Sequence, residues 1–201
     1  YPDGDPADVT DLMKININLA LVGTDDTVPP ASLILPAVPR LAATPSLPPR
    51  DVVLKENTDE FDNPIEVLLN GYKFMDPAGT TDFIKAGTTE TWQWINLTID
   101  AHPMHPHLVA SQVVNRQQFN VATYTAAWTA YLESGRTATK PNVTAYLIGS
   151  PIDPDPEEMG YKDTMKAPPG YVTRTRAKFD LPWTSFLDYN WKTKSFGNWV
   201  Y

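Results

Sequence analysis

Apolar and polar positions alternate along much of the chain instead of recurring every three or four residues, the pattern expected of strands with one buried face. Residues 12–21 read as a strand around Met13, Ile15, Ile17 and Leu19. Residues 52–54 and 65–69 predict two more, joined by the polar segment 57–64 and followed by Asn70-Gly71, a strong turn signal. A further turn at Lys85-Ala86-Gly87-Thr88 leads into residues 90–98, rich in aromatic and β-branched side chains and so expected to form a strand. Residues 108–114 and 171–179 continue the series, the latter alternating between two faces. One short helix is predicted, at about 125–134, closed by Gly135.

Prolines divide this pattern. Seven fall between residues 28 and 50, at 29, 30, 36, 39, 45, 48 and 49, a density that blocks both helix and central strand and favours an extended connector. Residues 1–26 are therefore expected to close a preceding domain and 27–50 to form a Pro-rich linker. Residues 51–201 then make an all-β sandwich, since many short turn-bounded strands with almost no helix need two packed sheets. Within it, 136–169 is long and carries six prolines, as expected of a surface loop that shapes a site.

The 201 residues (22.4 kDa) are enough to bury a sizeable core, and 42% hydrophobic with 20% charged residues is ordinary for a globular protein. Twenty-four acidic against sixteen basic residues give a net charge of -8, which argues against a nucleic-acid partner and leaves no polybasic signal for a membrane. No apolar run approaches the roughly 20 residues of a membrane-spanning helix. Cysteine is absent, so this chain holds no disulfide, thiolate metal ligand or cysteine nucleophile. Two glycosylation triplets begin at Asn96 and Asn142, a pattern that arises readily by chance.

All three histidines lie within His102-Pro103-Met104-His105-Pro106-His107. Imidazole is the usual nitrogen ligand of copper and zinc, and His105 and His107 project to one side if the segment is extended. The two prolines exclude regular helix and restrict the backbone, as a preorganised metal site requires. A chance cluster in a polar turn is the bland alternative, and the tight spacing between a Trp-rich strand and an apolar segment weighs against it. Spacing alone leaves copper and zinc open, because three histidines with water is also a catalytic zinc geometry.

The run His102-Pro103-Met104-His105-Pro106-His107-Leu108-Val109 resembles the segment that opens the copper sites in the last cupredoxin domain of multicopper oxidases. Tyr161-Lys162-Asp163-Thr164, Pro169-Gly170-Tyr171-Val172 and Gly197-Asn198-Trp199-Val200-Tyr201 resemble that domain's later strands in the same order, and Gly87-Thr88-Thr89-Glu90-Thr91-Trp92 its entry to the histidine strand. The segment before Lys162-Asp163-Thr164 is most similar to spore-coat-type laccases and bilirubin oxidases. The resemblance implies a cupredoxin-like Greek-key β-sandwich and copper as cofactor. It assigns His102 to the mononuclear type 1 copper, His105 to type 2 and His107 to the type 3 pair. It also implies one-electron oxidation of phenolic, aromatic amine or tetrapyrrole substrates coupled to reduction of dioxygen to water, and an extracytoplasmic location. In the family a His-Cys-His segment follows, so 51–201 would be incomplete and inactive as an isolated chain, needing the remaining oxidase domains or a partner chain. The competing readings are a non-catalytic sandwich with residual metal affinity and a three-histidine zinc hydrolase, the latter lacking an evident general base.

Among other residues, Trp92 and Trp94 share strand parity and are expected in the core. The acidic run 153–158 reads as a solvated loop, Met104 as a packing residue, and Asp163 as a candidate partner orienting a ligand histidine.

Overall fold

A computed structural model of the chain describes residues 14–16, 18–20, 22–34, 36–61, 63–79 and 84–180. Two compact units divide the chain, Tyr1–Pro39 and Arg40–Tyr201. In the first, the regular element among the described residues is a single 3-10 turn, Pro30–Ser32. Of the strand expected at 12–21, residues 14–16 and 18–20 are described and form no strand; the rest lies outside the described residues, as does the expected element at 197–201.

The second unit holds seven strands and one helix among its described residues. They are β1 (Arg50–Thr58), β2 (Pro64–Leu69), β3 (Thr89–Asn96), β4 (His102–Met104), β5 (Ser111–Gln118), α1 (Val121–Glu133), β6 (Met165–Ala167) and β7 (Tyr171–Lys178). Five strands form one sheet in the order β2-β1-β3-β7-β5, with β1 and β3 parallel and the other neighbours antiparallel; β4 and β6 form a second, antiparallel pair. This is the all-β sandwich with one short helix that the alternation predicts.

Strand parity builds two cores, one on each face of the large sheet. On one face, Val52, Leu54, Trp92, Trp94, Ala177 and Phe179 pack against Met165 and Ala167 of β6. On the other, Val53, Ile95 and Val172 meet Tyr124 and Trp128 of α1. Trp92 and Trp94 are buried as expected, their rings 5.2 Å apart, and both indole N–H groups donate, to Glu90 and Thr175 respectively. The later part of the Pro-rich segment is laced to the sheet: the Leu41 N–H donates to Gln112 and the Thr44 N–H to the Thr89 carbonyl.

Two of the boundaries that differ from expectation have a clear local reason. The helix starts earlier, at Val121, because the Asn120 side chain accepts from the Thr123 N–H and caps it. The strand expected from 108 begins at Ser111, because Leu108 adopts φ +67° and breaks the extended run. The loop 136–169 is ordered: it runs back beside β5 through bridges at Leu147, Ile152 and Lys162 before forming β6.

Candidate metal centre

Asn96, fully buried at the end of β3, folds the approach to the histidines. Its amide donates to the carbonyls of Asp100 and Ala167, and its oxygen accepts from the backbone N–H and hydroxyl of Thr98. Asn96 is therefore no surface glycan acceptor. The tight turn it holds delivers His102 to β4, where His102, Pro103 and Met104 pair with Ala167, Lys166 and Met165. Met104 packs against the core of that face, as expected.

His102 Nε2 lies 2.6 Å from the Thr98 hydroxyl oxygen and 3.8 Å from Glu56 Oε1 of β1. The Thr98 hydroxyl proton has acceptors of its own in Asn96 Oδ1 (2.9 Å) and the Asp100 carbonyl (3.1 Å). The hydroxyl oxygen and the carboxylate therefore both favour a proton on Nε2, which leaves the Nδ1 lone pair as the ligating position. His102 also lines a cavity of about 220 Å³ with Leu54, Val67, Leu69, Thr98 and Met104.

His105 is held from the opposite side of its ring. Its Nδ1 lies 3.0 Å from the Asp163 carbonyl and 3.2 Å from Asp163 Oδ2. A carbonyl only accepts, so Nδ1 carries the proton and Nε2 is free to ligate. The expected partnership of Asp163 with a histidine is thus present, supplied by the long loop. The His105 and His107 rings meet edge to face, 5.1 Å between centroids, so these two share one side.

The three histidines do not converge on one point: among the described residues no group of three or more His, Cys, Asp or Glu side chains is placed to hold a single ion. Imidazole donors suit copper, and the geometry offers one from His102 and a neighbouring pair from His105 and His107.

The acidic loop needs one correction. It is exposed over most of its length, but Glu158 forms a bidentate pair with the buried Arg116 at 2.5 and 2.6 Å, and those hydrogen bonds hold its carboxyl below the ordinary value. Glu158 is a structural counter-ion, closed into a capping turn with Asp155. Glu56 and Thr98 went unnoticed in the sequence. Thr98 stands four residues before His102, a spacing that hints at a local contact; nothing in the pattern of β1 marks Glu56.

With this geometry in view, known proteins locate the chain. The profile of the multicopper oxidase family matches residues 43–188, and the chain belongs to that family. It is 37% identical over 130 residues to a laccase of Bacillus subtilis (strain 168), covering 65% of this chain and 22% of that protein. It is 32% identical over 182 residues to multicopper oxidase LPR1 of Arabidopsis thaliana, covering 89% and 30%. A crystal structure of laccase from Pediococcus acidilactici Pa5930 superposes with a TM-score of 0.44 at 21% identity, over 74% of this chain and 25% of that one. The chain thus spans well under half the length of these relatives.

Proposed function

We propose that the chain is the copper-ligating C-terminal part of an oxidase that couples one-electron oxidation of a small phenolic, aromatic amine or tetrapyrrole reductant to reduction of dioxygen to water. The observation that carries this reading is the division of the histidines: His102 stands apart and offers Nδ1, whereas His105 offers Nε2 beside His107. In this reading His102 ligates the mononuclear type 1 copper, His105 the type 2 ion and His107 one of the type 3 pair. Bound copper supplies the electron transfer; the chain fixes which ring nitrogen faces each ion and keeps His102 half-buried. A zinc hydrolase needs the three imidazoles on one ion, and their separation speaks against it.

Residues 1–26 then close a preceding cupredoxin domain, 27–50 link, and 51–201 belong to the C-terminal one. The thiolate and the other histidines come from elsewhere in the protein or from a partner chain, and the assembly works outside the cytoplasm. Native mass spectrometry of the full-length protein tests this: enough copper for one mononuclear and one three-copper centre is expected. His102→Ala should abolish the blue absorption and spare the cluster, and His105→Ala the reverse. A full-length protein without stoichiometric copper overturns the oxidase.

A further inference from the structure

We propose that Glu56 and Thr98 are positioning residues that set the electronic character of the mononuclear copper through His102, a role that rests on His102 being its ligand. Glu56 is the less expected of the two. Its side chain is only 12% exposed, yet among the described residues no lysine or arginine pairs with it, and its close polar neighbour is His102 Nε2 at 3.8 Å. A carboxylate in so dry a place is costly unless compensated, and compensation here comes from the dipole of the nearby imidazole and from the charge of whatever the imidazole ligates.

The geometry is built, not incidental. Glu56 shares its strand face with Val52 and Leu54 of the core, so β1 fixes where its carboxylate points. Thr98 is fixed by the fully buried Asn96, which accepts from its backbone N–H and its hydroxyl at 2.9 Å each. Between them, His102 Nε2 meets a hydroxyl oxygen at 2.6 Å and a carboxylate beyond it. The Thr98 hydroxyl oxygen, accepting from the distal N–H of a metal-bound imidazole, fixes its ring plane, and the carboxylate 3.8 Å from the same nitrogen adds negative charge; both push electron density towards the ligating nitrogen. Negative charge on that side favours the doubly charged copper ion over the singly charged one and so lowers the reduction potential.

The experiment uses the full-length, copper-loaded protein and reads the midpoint potential of the blue band by redox titration, with the electron paramagnetic resonance signal of the mononuclear copper and copper retention against a chelator. Glu56→Gln should keep the blue band, shift the midpoint upward and weaken retention on the order of tenfold. Glu56→Asp, which keeps the charge, should recover part of the shift. Thr98→Ser should match the wild type and Thr98→Val should shift upward, an independent pair that decides the matter if Glu56→Gln does not fold. Wild-type midpoints in Glu56→Gln or Thr98→Val, with the blue signal intact, overturn the inference and leave the copper reading standing. A wild-type protein with no blue copper signal overturns the copper reading itself.

Discussion

Two side chains of the interior have opposite consequences for pH. Arg116 is buried and neutralised by Glu158, so Glu158→Gln strands a cation and should cost on the order of 2 kcal/mol at neutral pH, read by thermal melting. Because Arg116 lowers the folded-state pKa of Glu158, the pair's contribution is present above the ordinary carboxylate value of 4.5 and lost as pH falls through the folded value. Melting temperatures of Glu158→Gln and wild type should therefore converge in acid. Tyr124 behaves in the other sense. Its hydroxyl is buried without a partner among the described residues, and burial pushes its pKa well above 10.0. Tyr124→Phe should be neutral or stabilising by up to about 1 kcal/mol, since a lost hydroxyl that bonds to nothing removes only a desolvation cost. In the wild type stability falls as pH rises above 10, because the phenol ionises more readily in the unfolded chain than in the core; Tyr124→Phe should lack that alkaline slope. A Tyr124→Phe protein that melts several degrees lower would show that the hydroxyl has a partner after all.

At the level of elements, turn and cap chemistry decides what strand patterning leaves open. Asn70 and Gly71 both have positive φ, +52° and +79°, and Leu69 and Tyr72 exchange backbone hydrogen bonds across them, a type I′ hairpin turn. At Gly71 an added Cβ would meet Leu132 at 3.0 Å and the Arg136 guanidinium at 3.1 Å, where Arg136 also stacks on Tyr72. Gly71→Ala should therefore cost about 2 kcal/mol, combining backbone strain with displacement of the helix end. Asn120→Ala removes the cap of α1 and should cost about 1 kcal/mol, with a loss of helical circular dichroism confined to one element. The same contrast explains what was legible in the sequence. Strands β1, β2, β3 and β7 announced themselves through short runs of apolar, β-branched and aromatic residues, alternating most clearly in β7, and Asn-Gly announced its turn. The helix start did not, because Val121-Ala122-Thr123 carries no apolar period and only the cap marks it; nor did the start of β5, because a leucine at φ +67° defies its own propensity. The histidines were legible because they are adjacent in sequence. Glu56 was not, and Asp163, 58 residues beyond His105, could be named only as a candidate, because their contacts exist only once β1 and the long loop have folded over β4.

On the scale of the whole molecule, the sheet has one edge that the described residues do not cover. Strand β2 lies outermost beside β1, and Ile65, Val67 and Leu69, which share one face, are 68%, 59% and 46% exposed. An edge strand with an exposed apolar row is a template for association, which proteins ordinarily blunt with charge or cover with another element. The pairing sets the faces: Leu69 stands opposite Leu54 and Val67 opposite Glu56, so this apolar row lies on the His102 side of the sheet, whereas Glu66, on the other face, is engaged by Asn57 and Lys73. The 201-residue chain should therefore self-associate, and Ile65→Lys, at the most exposed position of the row and outside the His102 cavity, should reduce that association in sedimentation velocity. Since Ile65 contributes to neither core cluster, the stability read by thermal melting should stay within about 0.5 kcal/mol of the wild type's. Unchanged sedimentation of Ile65→Lys would mean that another surface drives the association and that this row of β2 tolerates water as it stands.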